Sequence, residues 1–575
     1  MCILHQRQVL DAIPAWKDLL VHGSQLSGKS CQLQPQTIGR RSSSAMSMLP
    51  TLSLFKGKSY PTFAKVQKSV DSKKFYAALF SFANYWEKHL EDRVNIQLPD
   101  SSWADMSTHA FAKELMTRPG GNYPKYGAFD RDYAGSEYDG FQDIFTSAVS
   151  ANLEHGRFNH AKDVIENYYT LFVSDEGDIN MRGPQVGQFG LTLSLLAKYA
   201  HYTGDTALLQ KHKAKIVATA GMLVKLHEEG LALPNSDSGH GLIHGWSESD
   251  ACLKGRPEIW WKPYFSNSAF TIRGFRDIAA LPLFKDESAN WLKRADALQK
   301  RTVESIKASI MTDKGKTLYV PPLPGTKQTF RESMAARGDS EQAWPHRLYA
   351  ELLHANILPK ELQNQVQDTV RAYGASSMGV IANVGVPSPA TRDILGFISY
   401  GSALSLLYLD RIDEFVLFLY SHRYHVHNRG AWLAGEVTGT AGGVAAFCVP
   451  AQMTIPIILR WALVLEDQDS DLLYLGRGVP REWLGTGKAI SIKQAPTRWG
   501  RVDYSIMLTA PGKVRAQVKF SGKVPKEIEV KLRFPKGGKV KSATVNGKEA
   551  KIAPNEAVLV QTDGQTEFIV EAIGV

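Results

Sequence analysis

Cysteine is scarce. The four in 575 residues (Cys2, Cys31, Cys252, Cys448) lie far apart, outside any Cys-x-x-Cys or Cys/His cluster. That spacing signals neither a disulfide framework nor a structural zinc site, and it fits a reducing compartment. No basic segment followed by an apolar run opens the chain, so no export signal is read there. The default expectation is a cytoplasmic protein, with secretion the alternative. No phosphate-binding glycine loop, dinucleotide fingerprint, Gly-x-Ser-x-Gly elbow or His-Glu-x-x-His pair occurs. Nucleotide enzymes, serine hydrolases and zincins therefore gain no support. No metal site and no cofactor is signalled.

A basic stripe interleaved with aromatics is also missing. The net charge is +10, but residues 1–75 hold 11 Lys+Arg against 3 Asp+Glu, and residues 471–575 hold 18 against 10. The middle is mildly acidic, 38 against 44, so no nucleic-acid partner is expected. One long apolar run exists, Ala441 to Leu459, broken only by Gln452 and Thr454. It is long enough to cross a membrane. It also carries Pro450 and Pro456 and runs into Arg460, and reads better as the buried inner helix of a large domain. No membrane partner is expected, and the oligomeric state is left open.

What is present is ordinary globular composition, 43% hydrophobic and 22% charged, enough chain for two or three domains. Residues 1–50, rich in Gln, Ser and Arg, read as a disordered leader. Apolar spacing of three and four predicts twelve helices over 75–92, 139–153, 158–172, 187–203, 206–228, 265–280, 286–310, 341–354, 361–373, 397–409, 411–422 and 441–466. Turns around Gly156, at 202–205 and at 409–411 are very short; the links into the even-numbered helices are mostly long and rich in Gly, Pro and Trp. Short links make antiparallel hairpins. Six hairpins close naturally into a mainly α (α/α)6 toroid over 51–470, with the even-numbered helices inside. From 471 to 575 short alternating runs such as VRAQVKF and EFIVEAI, punctuated by PG, SG, GG, NG and DG, predict a small antiparallel β-sandwich domain.

In such a ring the six loops before the even-numbered helices open on one face, and helix N-termini favour bound oxygens there. Trp246, Trp260, Trp261, Trp344 and Trp432 fall in these loops. Tryptophan beside many polar groups suits a sugar, whose ring face stacks while its hydroxyls are hydrogen-bonded. Breaking a glycosidic bond usually needs two carboxyls flanking the anomeric carbon. Glu248 and Asp250 sit inside a long Trp-flanked loop. Glu436 lies in the glycine-bounded turn WLAGEVTGTAGG, where Gly435 and Gly439 leave room for close approach.

Six hairpins, HGWSESDACL, WLAGEVTGTAGG and a trailing β-domain together resemble the six-hairpin glycosidase superfamily, over roughly residues 75–575. The resemblance implies an inverting hydrolase with its general acid between helices five and six, here Glu248 or Asp250, and its base between helices eleven and twelve, here Glu436. Members with a Gly-Trp-Asp motif carry the acid directly after Trp; here that place is Ser247, which leaves the donor open between the two acids. Asp139, Arg182, His244, Asn267, Glu341, His346 and Arg392 are expected to hold hydroxyls or carboxylates of a carbohydrate substrate. A uronic acid or rhamnose unit is the suggested target. The alternative on the same ring is a polysaccharide lyase or sugar epimerase using Tyr or His as base.

Overall fold

The computed structural model describes residues 71–118, 123–125, 127–128, 141–179, 185–246, 256–312, 317–382, 394–438 and 447–574. The chain divides into two units, residues 1–91 and 92–575. The first contributes helix α1 (Ser72–Leu90), started by Asp71, whose side chain accepts the Lys73 N–H at 2.9 Å. The expected leader over 1–50 lies outside the described residues.

In the second unit two kinds of helix alternate. The first kind buries one stripe: α2 (Ser102–Met116), α4 (Phe158–Leu171), α6 (Lys213–Ala232), α8 (Lys285–Ser309), α10 (Lys360–Ala372) and α12 (Ile412–Ser421). In α8 the buried residues are Trp291, Ala295, Leu298, Thr302, Ser305 and Ile306, at steps of three and four among exposed lysines and half-buried arginines. That is the pattern of a helix with one face on a core. The second kind is buried nearly all round: α3 (Gln142–Glu154), α5 (Val186–Thr203), α7 (Phe265–Ala279), α9 (Pro345–His354), α11 (Tyr400–Tyr408) and α13 (Val449–Leu463). Every residue of α3, α11 and α13 is buried.

Packing relates the second kind in a fixed order. Helix α3 packs on α5, α5 on α7, α7 on α9, α9 on α11, α11 on α13, and α13 on α3. Each also carries one helix of the first kind: α2 lies on α13, α4 on α3, α6 on α5, α8 on α7, α10 on α9 and α12 on α11. The α5–α7 contact is close. A Cβ on Gly190 would stand 2.1 Å from the Phe270 carbonyl oxygen, and one on Gly274 would stand 2.4 Å from that of Gly190, so both positions require the missing side chain. The short connections use left-handed residues: Gly156 (φ 74°), Gly204 (φ 70°) and Asp410 (φ 60°).

Helix α2 was not expected. Its apolar residues Trp103, Met106, Ala110 and Phe111 are interleaved with Ser107, Thr108, Lys113 and Glu114, all equally buried, and this breaks the stripe that periodicity detects. The apolar run expected as a helix over 441–466 is helical at Val449–Leu463 and continues as a strand over Val464–Glu466. Among the described residues, no helix is long and apolar enough to cross a membrane.

The runs predicted as strands after 471 are strands. One sheet joins β1 (Asn95–Gln97), β4 (Ile490–Thr497), β5 (Gly500–Ala510), β6 (Lys513–Gly522), β11 (Glu567–Gly574), β8 (Val540–Val545) and β9 (Lys548–Glu549) in that order. The other joins β2 (Val464–Glu466), β3 (Leu472–Leu475), β7 (Glu527–Lys531) and β10 (Ala557–Gln561). Along β11 exposed and buried residues alternate strictly from Glu567 to Ala572, as a strand with one covered face requires. Pairing is antiparallel except between β3 and β7, which run parallel from Leu472/Glu527 to Leu475/Val530. Strands β1 and β2 are recruited from before residue 471.

Candidate functional site

The segments that lead into α3, α5, α7, α9, α11 and α13 are tied to one another at the helix N-termini. Before α3 and α13, residues 127–128 pair antiparallel with 447–448. Before α11 and α13, residues 394–395 pair with 437–438, and the Gly396 N–H donates to the Glu436 carbonyl at 3.1 Å. Before α5 and α7, Gln185 bridges Trp246 in parallel. Before α7 and α9, the Trp260 indole N–H donates to the Ser340 carbonyl (3.0 Å) and the Tyr264 hydroxyl to that of Glu341 (2.8 Å). Four of the six helix-to-helix neighbour relations are thus repeated in these lead-in segments.

Four of the five singled-out tryptophans form two edge-to-face pairs there, Trp246 with Trp261 at 5.5 Å and Trp260 with Trp344 at 5.2 Å. Trp260 is buried; Trp246, Trp261 and Trp344 are half-buried. Trp432, the fifth, has a left-handed backbone (φ 51°) and a ring under the Arg423 guanidinium at 5.3 Å. Glu436 is half-buried four residues further on. His244 is half-buried, and burial lowers its imidazole pKa. Glu341 spends its carboxylate on Arg337 at 2.8 Å. Glu248, Asp250, Asp139, Arg182 and Arg392 lie outside the described residues.

Asn267 and His346 are buried in the first turns of α7 and α9, and they lead to a cluster that sequence reasoning missed. Arg347 of α9 makes a two-pronged ion pair with Asp143 of α3, at 3.0 and 2.6 Å. Those helices are three steps apart in the packing order, so the pair reaches across the set. Arg347 also donates to Glu351 (3.1 Å), and the Gln188 amide of α5 donates to the same carboxylate oxygen (2.8 Å). Gly187 closes the group: a Cβ there would stand 3.0 Å from the second Glu351 oxygen and 3.3 Å from Asn267 Oδ1. Among the described residues, Asn267 Oδ1, Gln188 Oε1, Gln142 Nε2 and His346 Nδ1 are buried and have no hydrogen-bond partner. Buried polar atoms in this state call for a partner such as water or a bound hydroxyl. The signal in the sequence was Arg347 and Glu351 at i, i+4 inside an apolar run, PHRLYAELLH.

Burial pushes the Glu351 carboxyl up to about 7; Arg347 and the Gln188 hydrogen bond hold it down, while the Asp143 charge adds to the rise. Burial and the neighbouring Arg347 take His346 down to about 3, so its ring is neutral. A carboxyl whose native pKa is raised binds its proton more tightly folded than unfolded. Stability then falls as pH rises between the usual 4.5 and about 7, a window worth on the order of 3 kcal/mol. The thermal midpoint of the wild type is expected to drop across that window, and Glu351→Gln to drop less; parallel curves for the two proteins would refute the assignment.

At the other ends of these helices a cavity of about 460 Å³ is lined by Glu154, Lys198, Arg273, Asp277, Arg460 and Trp461, among others. Its charges are spent on one another: Glu154 on Arg460 (2.8 Å) and Lys198, Asp277 on Ser194 and Arg273. The opposite end, with its unsatisfied polar atoms and tryptophans, is the better candidate. Among the described residues, no cluster of three or more His, Cys, Asp or Glu could hold a metal ion.

No family model matches the chain, and no curated protein matches it. Among solved structures it is similar to the alpha-L-rhamnosidase of Dictyoglumus thermophilum (10% identity, TM-score 0.48, 84% of this chain, 50% of that one). It is similar to a GH127 beta-L-arabinofuranosidase from Geobacillus stearothermophilus T6 (13%, 0.42, 84% and 81%). It is also similar to an alpha-L-rhamnosidase of Streptomyces avermitilis (11%, 0.49, 83% and 42%). The chain spans about half the length of the Dictyoglumus enzyme. All three neighbours are named as glycosidases. At these identities and TM-scores the likeness assigns nothing to this chain, and activity is left to its own residues.

Proposed function

We propose that the chain is a glycoside hydrolase of the six-hairpin type. Its inner helices α3, α5, α7, α9, α11 and α13 form an (α/α)6 toroid, and residues 471–575 form most of a β-domain beside it. Glu248, with Asp250 the second choice, protonates the leaving oxygen, and Glu436 activates water for attack with inversion. Asp139, Arg182 and Arg392 bind the substrate from the loops, Asn267 and His346 from the floor; the tryptophans wall the sugar. The observation that carries this reading is the tying of the lead-in segments at the helix N-termini, with the Trp246/Trp261 and Trp260/Trp344 pairs and a floor of buried, unsatisfied polar atoms. An apolar wall with a few convergent polar groups is what a sugar-binding cleft requires.

The test is a panel of aryl glycosides and polysaccharides, including rhamnosides and uronides, scored for released reducing sugar, with the product anomer read by proton NMR. Release of the inverted anomer supports the reading. The retained anomer overturns the role given to Glu436. Release of an unsaturated, ultraviolet-absorbing uronide points to elimination instead.

A further inference from the structure

We propose that Lys113 is the positioning residue for Glu436: from α2 it clamps the 431–432 turn and so fixes the segment that carries the carboxylate. The proposal rests on the catalytic reading of Glu436. Lys113 Nζ donates to the carbonyls of Ala431 (2.8 Å) and Trp432 (3.0 Å), more than three hundred residues away along the chain. Its side chain is buried, and among the described residues it makes no ion pair. Burying an ammonium without a counter-ion is costly, and burial pulls its pKa down to about 7. A carboxylate partner would answer the charge; two successive carbonyls instead fix a backbone.

The clamp acts on a backbone that needs one. Trp432 is held in the left-handed region, rare for a bulky residue. Its carbonyl also takes the Gln452 amide at 2.9 Å, and the Gln452 oxygen takes the Ala434 N–H at 3.1 Å. The Cys448 N–H donates to the Ala434 carbonyl (2.9 Å) and the Gly396 N–H to that of Glu436 (3.1 Å). From 431 to 436 the chain is therefore pinned by side chains or backbone from α2, α13 and the segment before α11. Lys113 supplies the pin at the strained residue. Arg423, over both Trp103 of α2 (4.3 Å) and Trp432 (5.3 Å), holds the same corner from above. A misplacement of about 1 Å at a reacting group can cost around a hundredfold in rate.

The experiment compares wild type with Lys113→Met, which keeps the apolar stem and removes the donors, Lys113→Arg, which restores two donors, and Glu436→Gln. Turnover is measured on the aryl glycoside cleaved fastest in the panel, and amide hydrogen exchange over 428–438 and at Gly396. Lys113→Met is expected to lower kcat about tenfold or more with much less change in KM, to speed exchange at Leu433, Ala434 and Gly396, and to be rescued in large part by Lys113→Arg. Wild-type kcat and exchange in Lys113→Met, with Glu436→Gln inactive, overturns the clamp and leaves the hydrolase reading intact. Full activity of Glu436→Gln overturns the catalytic reading, and unchanged exchange then overturns the clamp as well. Should the Met variant fail to fold, Lys113→Gln, which shortens the side chain and removes the charge, takes its place under the same criteria: faster exchange at Leu433 and Ala434 with lowered kcat supports the clamp, and wild-type exchange and kcat refute it.

Discussion

Glu436→Gln is expected to lower kcat by about two to four orders of magnitude, the range that a positioned general base supplies, while KM and the thermal midpoint stay near wild type. The amide keeps the size and the hydrogen-bonding oxygen of the carboxylate but cannot take a proton from water. Glu436 is half-buried, and the backbone around it is pinned through its own carbonyl, so the substitution leaves the anchors in place. A loss confined to kcat and kcat/KM marks an interaction made only in the transition state. The partner substitutions resolve the open choice on the other side of the sugar. Glu248→Gln inactive with Asp250→Asn active makes Glu248 the donor, and the reverse outcome makes it Asp250. Aryl glycosides with good leaving groups sharpen this comparison, because they need the proton donor least. On them the Glu436 variant stays slow and the donor variant recovers. Wild-type turnover in Glu436→Gln would end the assignment.

The helices and strands were legible because each declares itself locally. The stripe of Trp291, Ala295 and Leu298 in α8, the mostly apolar course of α13 and the strict alternation in β11 are visible without any partner. The lead-in segments stood out in the sequence for a related reason: they carry glycine, proline and aromatics that a mere connection does not need. Helix α2 was hidden because its buried face includes Thr108, Lys113 and Glu114. Lys113 and Glu114 are held by contacts that do not exist in the linear sequence. Lys113 meets Ala431 and Trp432, and Glu114 meets Asn152. The same holds for the floor. Asp143 and Arg347 are 204 positions apart, and Gln188 and Glu351 are 163 apart. A polar residue at the start of a helix looks like a cap until the opposite helix is known to face it. Glu341 is the converse case, a loop acid whose partner, Arg337, was only four residues away.

The cluster around Arg347 also sets a large expected effect on stability. Arg347 is the cation that answers two carboxylates, Asp143 on α3 and Glu351 on its own helix, with all three side chains buried. Removing one partner of a buried ion pair typically costs about 3–5 kcal/mol, because the remaining charge loses its compensation but not its burial. Lys would not replace it, since the two-pronged contact with Asp143 needs the planar guanidinium. Arg347→Met is expected to destabilise the protein by about that amount at pH 8. The loss should shrink toward pH 5. Without Arg347 the Glu351 carboxyl loses the charge that holds it down, so its protonation in the native state begins at higher pH and relieves the buried charge as pH falls. Adding Asp143→Asn to Arg347→Met should recover part of the loss at pH 8, whereas Asp143→Asn alone leaves Arg347 paired with Glu351 and costs less. A loss for Arg347→Met of under about 1 kcal/mol, the size of an exposed pair, or one that does not change between pH 5 and pH 8, would mean that water reaches these groups. The floor would then be an open surface and not the closed end of a binding site.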